Sequence, residues 1–124
     1  MHVTKFVEKN LNLYFFPERY STVDITSDGT FGWQTMHKSS FKVLAPSGSI
    51  IYSVDPGGNI LANADLSKYM FNTKPESVQN IQITVINVKQ TDGGIYKSVS
   101  LSDQNTNTDE CLLLMITGKK PVYY

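Results

Sequence analysis

A single cysteine, Cys111, stands among the 124 residues, so no internal disulfide can form and a disulfide-stapled scaffold is excluded. A lone cysteine in such a chain is expected as a small buried hydrophobe, not as a reactive thiol. There is no surplus of charge either. Eleven basic and eleven acidic side chains cancel, which removes the net field that would draw the chain to nucleic acid or to an anionic membrane. No apolar run approaches the ~18 residues of a membrane-spanning helix, so no membrane insertion is expected of this chain. The opening MHVTKFVEKN lacks the apolar centre of a secretory signal. No Asn-x-Ser/Thr acceptor occurs, so there is no site for N-linked glycan.

Chemistry is equally sparse. His2 and His37 share no metal-ligand spacing with Cys111. The stretch DQNTNTDE (Asp103, Asn105, Asn107, Asp109) imitates the start of a calcium loop, but Thr108 and Leu114 stand where that loop needs glycine and glutamate. It reads as a hairpin loop. DPGGN has no following helix on which to cradle phosphate, and no nucleophile, base and orienting group share a recognisable context. The expectation is a protein that is not an enzyme and needs no metal or cofactor.

What the chain does contain is strand signal. Period-2 alternation runs through LNLYF (Leu11, Leu13, Phe15), TVDITS (Val23, Ile25), FKVLA (Phe41, Val43, Ala45) and IQITV (Ile81, Ile83, Val85). CLLLMI reads as a strand covered on both faces. Turn clusters SDGT, APSGS, DPGGN and SDQNTNTDE separate these segments. Only ADLSKYMF has the makings of a short helix, too short to stand alone. Eight or nine short strands at this spacing imply an all-β antiparallel sandwich, with residues 1–124 forming one domain.

One stretch is more specific. Ile83-x-Val85-x-x-Val88 followed by Asp92-x-Gly94-x-Tyr96 resembles the end of strand E and the start of strand F in the immunoglobulin superfamily, of the variable (V-set) type. The resemblance implies a tyrosine corner, in which the Tyr96 hydroxyl bonds back to the backbone and pins the E–F connection. Gly94 would leave room for the tight turn. Asp92 would pair with a basic residue near strand D, with Lys68 and Lys74 as candidates.

The same family places a disulfide cysteine two residues after the tyrosine, and this chain has Ser98 there. Its counterpart on strand B is sought about seventy residues upstream, where Val23-x-Ile25-x-Ser27 fits the V-x-L-x-C frame. A rival frame uses Phe15 and makes the separation longer. The strand C tryptophan that packs on the disulfide is replaced in one register by Val43, which puts Trp33 in the B–C loop. In the other, FGWQTM is strand C and Trp33 is in the core. We prefer Ser27 and Val43 and keep the alternative open. Losing such a disulfide often costs about 2–5 kcal/mol, and buried aromatic and aliphatic bulk (Phe16, Phe41, Phe71, Tyr96 and residues 112–116) is expected to offset it.

Strand alternation then assigns the faces. With Tyr96 and Ser98 inward, Ile95, Lys97, Val99 and Leu101 point outward, and Leu44 joins them from strand C. Outward aliphatics on adjoining strands imply an interaction surface. In variable-type domains this GFCC′ sheet is a common site of pairing, and Phe31, Trp33 and Met36 in the B–C loop extend it. A variable-type domain without its disulfide is similar to CD2-, SLAM- and CEACAM-type N-terminal domains, and to hydroid (Hydractinia-type) allorecognition receptors. The resemblance implies a membrane-distal, extracellular recognition domain of a membrane-anchored receptor. Its partner would be a protein: another immunoglobulin-type domain, and homophilic self-recognition is included. The isolated domain would be monomeric or weakly dimeric. The alternative is a soluble ligand- or carbohydrate-binding sandwich, or a viral decoy.

Overall fold

The computed structural model describes residues 19–62, 66–72, 79–102 and 108–118. Among them lie nine strands: β1 (Tyr20–Asp24), β2 (Gly29–Gln34), β3 (Phe41–Leu44), β4 (Ile50–Val54), β5 (Ile60–Ala62), β6 (Tyr69–Phe71), β7 (Asn80–Val85), β8 (Gly94–Ser100) and β9 (Glu110–Thr117). They build two sheets. The larger has the order β1-β9-β8-β3-β4-β5 and the smaller β2-β7-β6. All pairings are antiparallel except β1 with β9, which run parallel. The architecture is an all-β immunoglobulin-like sandwich.

Alternation explains why the sheets close on each other. β2, GTFGWQ, buries every second residue, and β7, NIQITV, does the same. Their register sets Phe31 opposite Ile83 and Trp33 opposite Ile81, so one face of the small sheet is a continuous apolar stripe. It packs on Phe41, Val43, Tyr96, Leu112 and Leu114 from the large sheet. Two ring contacts cross the gap. Phe31 meets Tyr96 edge-on at 4.7 Å, and Tyr52 stacks on Phe71 at 4.7 Å; such pairs add about 0.5–1.5 kcal/mol each beyond their buried area.

The E–F connection is built from the Asp92-x-Gly94-x-Tyr96 stretch. Asp92 closes a 3₁₀ turn (Gln90–Asp92), and its carboxylate accepts from the Lys89 amide and from Lys68 Nζ, both at 2.8 Å. The Tyr96 hydroxyl donates to the Asp92 carbonyl at 2.6 Å. Burial pushes the Tyr96 phenol well above its ordinary range, with Tyr69 and Asp92 adding to the effect, so it remains a donor. Gly94 has φ +133°, and a Cβ there would press on Pro46; this backbone conformation favours glycine. Lys74, the other candidate partner for Asp92, lies outside the described residues, as do LNLYF, Phe15 and Phe16.

Three expectations are corrected. Ser27 is not on strand B. It sits in the exposed turn after β1, where its hydroxyl donates to the Asp24 carbonyl at 2.9 Å. The alternation of Val23 and Ile25 belongs to a strand that pairs with β9 and whose Val23 packs beside Gly29. Trp33 is neither in the B–C loop nor on strand C: it lies on β2, 6% exposed, facing Ser98 across the sandwich. Finally, Leu66 to Lys68 form a turn, and Tyr69 to Phe71 are strand β6. Pairing with Val85 and Ile83 outweighs the marginal stability of an isolated helical turn.

Candidate interaction face and the polar pin behind it

β8 presents two surfaces. Tyr96 and Ser98 are fully buried between the sheets, which turns Ile95, Lys97 and Val99 to the outer face of the large sheet. Register carries that face across neighbouring strands. Lys97 is level with Leu44 on β3 and with Cys111 on β9; Val99 is level with Lys42; Ile95 is level with Leu113, which in turn is level with Tyr20 on β1. Met115 and Leu61 continue the face at its two sides.

Exposure along this face is uneven. Leu44, expected as an open contact residue, points outward yet is only 9% exposed, and Cys111 beside it is fully buried. Both stand outside the core between the sheets. The middle row is therefore filled, with the Lys97 stem between them. Burial also pushes the Cys111 thiol up, so it is a packed hydrophobe. The accessible apolar area lies around that row. Ile95, Val99 and Leu113 are half-buried, while Tyr20, Leu61, Leu101 and Met115 are the exposed large hydrophobics on this side. Lys97 carries the central charge, and Asp109 lies close enough to feel it.

Behind the face, Ser98, which the resemblance sets where a disulfide cysteine would stand, belongs to a cluster of polar groups. Trp33 Nε1 donates to Ser98 Oγ and to Glu110 Oε1, each at 3.2 Å. Ser98 Oγ donates to the same Glu110 oxygen at 2.7 Å, and the Met36 amide donates to Oε2 at 2.7 Å. His37 Nε2 lies 3.2 Å from the Ser98 carbonyl, to which it donates, and 3.6 Å from Glu110 Oε1. This pin joins β2, β8 and β9 and holds the start of the β2–β3 loop. Burial tends to raise the Glu110 carboxyl, but donors from Met36, Ser98 and Thr35, with His37 nearby, outweigh it and hold the group below the ordinary range. Burial pushes the carboxyl of Asp109, next in sequence, up, although Lys97 and His37 pull it the other way.

Val43 is fully buried on β3, level with Ser98. The β2–β3 loop presents Met36 at 74% exposure, whereas Phe31 and Trp33, expected to reach a partner from that loop, are enclosed in the core. Glu110 was not legible as a site residue. Its register opposite Ser98 arises from the pairing of β8 with β9, and an acid preceding CLLLMI looks like an ordinary strand-end charge.

Among the described residues there is no group of three His, Cys, Asp or Glu able to hold a metal, and no helix long and apolar enough to cross a membrane. His2 and most of DQNTNTDE lie outside the described residues. No protein-family model matches the chain, and no curated protein is similar to it in sequence. Solved structures are similar in fold. The three-domain ectodomain of mouse nectin-like molecule 4 superposes with TM-score 0.60 at 12% identity, over 79% of this chain and 32% of that one. The chain thus spans about a third of that ectodomain. The first immunoglobulin domain of mouse SynCAM 2 gives 0.59 at 16% identity, over 85% and 98%. The ZIG-8 first-domain homodimer gives 0.57 at 14% identity, over 92% and 86%. At these identities the likeness shows an immunoglobulin-like fold.

Proposed function

We propose that the chain is an extracellular recognition domain of a cell-surface receptor, which binds another immunoglobulin-type domain through the outer face of its large sheet. The observation that carries this reading is the pair of apolar groups that flank the Lys97 row, Ile95, Leu113 and Met115 with Tyr20 at the edge on one side and Val99 and Leu101 on the other. Outward aliphatics on both sides of the Lys97 row, on a chain without net charge, suit protein docking. The fold neighbours support it, since one is a homodimer of first immunoglobulin domains. The finer reading is homophilic self-recognition, in which the partner is an identical copy on an opposing cell, as in allorecognition. Proximity of Asp109 to Lys97 moderates the like-charge repulsion that pairing of identical faces brings.

A single contact is weak, about micromolar or poorer, and arrays of receptors supply the avidity. Compared with the face first inferred from alternation, the contact drops Leu44 and Trp33, keeps Ile95, Val99 and Leu101, and adds Leu113, Met115 and Tyr20. Beads coated with the domain on a flexible tether test the reading. Wild-type beads clump, and Val99→Asp/Leu101→Asp beads do not. Wild-type beads that stay dispersed, or variant beads that clump equally, overturn it.

A further inference from the structure

The outer face of the small sheet is uncharged among the described residues. On β2 it presents Thr30, Gly32 and Gln34; on β7, Asn80, Gln82 and Thr84; and on β6, Met70. Asn72 follows at the end of β6. None of these eight residues is charged, in a chain of which 18% is charged. A solvated face of this size ordinarily carries charges of both signs, about a quarter to a third of its residues.

Shallow, open depressions lie on the face. A depression of about 550 Å³ is lined by Thr30, Gly32, Asn72, Asn80 and Gln82, with an adjoining hollow of about 270 Å³ that reaches Met70 and Thr84. Gly32 makes the floor: a Cβ there would collide with the Ile81 carbonyl, so no other residue fits without displacing β7. Level with it stands Gln82. Among the described residues, no side-chain hydrogen bond engages the carboxamides of Gln34, Asn80 or Gln82, whereas Thr30 and Thr84 bond each other at 2.8 Å. Each free carboxamide offers a donor pair and an acceptor.

We infer that this hollow is a binding site for a neutral oligosaccharide. Charge complementarity decides the class. Among the described residues, an anionic ligand would find no cation on the face, and a cationic one no carboxylate. A polyhydroxylated, uncharged ligand matches free amides that both donate and accept, and exposed Met70 offers an apolar platform for a sugar's C–H face. The chain has no N-glycan acceptor of its own, so no N-linked sugar on these 124 residues shields the hollow. The site is on the sheet opposite the docking face, so it operates whether or not that face binds a protein.

The test is a titration of the isotope-labelled full chain with neutral hexasaccharides of mannose, glucose and galactose, followed through backbone amide shifts. At least one sugar moves the amides of residues 30–34 and 80–84 in a saturable way. Gln82→Ala/Asn80→Ala, with unchanged thermal stability, weakens that binding at least tenfold, and Val99→Asp leaves it intact. No shift at millimolar sugar overturns the inference. So does binding that persists in the double variant, or binding restricted to sulfated or sialylated sugars. A concentration-dependent dimer formed through this same face, abolished by Gln82→Arg, also overturns it.

Discussion

Replacing Glu110 by alanine removes the acceptor at the centre of the pin, and the structure allows the cost to be apportioned. Ser98 Oγ–H loses its carboxylate at 2.7 Å and the Met36 amide loses its own at 2.7 Å. Trp33 Nε1 retains Ser98 Oγ at 3.2 Å. Hydrogen bonds to a charged group contribute about 1.5–3 kcal/mol each. Against this stands the relief of desolvating a carboxylate that is 7% exposed. The net loss works out at about 2–4 kcal/mol, a large part of the ~5–15 kcal/mol that holds a domain folded. Glu110→Gln keeps one oxygen but turns an amide N–H toward a donor, and costs about 1–2 kcal/mol. Ser98→Ala costs less, about 1 kcal/mol, because Trp33 still bonds Glu110 at 3.2 Å. Urea unfolding followed by fluorescence reads this series directly, since Trp33 is the only tryptophan and sits in the pin. With a slope of about 2 kcal/mol per molar, the midpoint for Glu110→Ala falls by about 1–2 M. If the three variants lie within a few tenths of a kcal/mol of wild type, apolar packing alone joins the sheets and the pin argument fails.

Other consequences can be checked alongside. Tyr96→Phe strands the Asp92 carbonyl and costs about 1–2 kcal/mol, lowering Tm by about 4–10 °C; an unchanged Tm would mean the corner bond contributes nothing. Gly94→Ala, at φ +133° and against Pro46, destabilises by at least about 1 kcal/mol in the same assay, and a neutral result would contradict the strain assigned there. In acid, Glu110 has a folded-state pKa below its unfolded one, so its contribution is present above the unfolded pKa, about 4.3, and is lost as pH falls through the folded value. Asp109, shifted up, works in the opposite direction. Stability measured from pH 6 down to 3 therefore declines at the acid end, and Glu110→Gln flattens that decline. A Glu110→Gln profile as steep as wild type would place the acid sensitivity elsewhere.

Legibility in the sequence followed the range of the contacts. The Asp92 to Ser98 stretch was readable because the corner closes over a few residues, with the phenol, carbonyl and tight glycine all local. The identity of strand B was not. Val23-x-Ile25-x-Ser27 and Phe31-x-Trp33 alternate equally well, and only the pairing of β1 with β9 and of β2 with β7 separates them. Gly29 and Gly32 made β2 look like a loop. Both instead mark close approaches, of Val23 to one and of the Ile81 carbonyl to the other. A signal was present: Phe31, Trp33, Thr35 and His37 keep a period of two. The outward parity of Ile95, Lys97 and Val99 followed from Tyr96 alone. The filling of the row from Leu44 to Cys111 depends on tertiary packing that no alternation encodes.

The docking face is tested most directly by adding unlabelled chain to an isotope-labelled copy. The account requires concentration-dependent shifts at the amides of Ile95, Val99, Leu101 and Leu113, with residues 30–34 and 80–84 still. Shifts confined to the small sheet, or none up to millimolar concentration, contradict homophilic pairing through the large sheet.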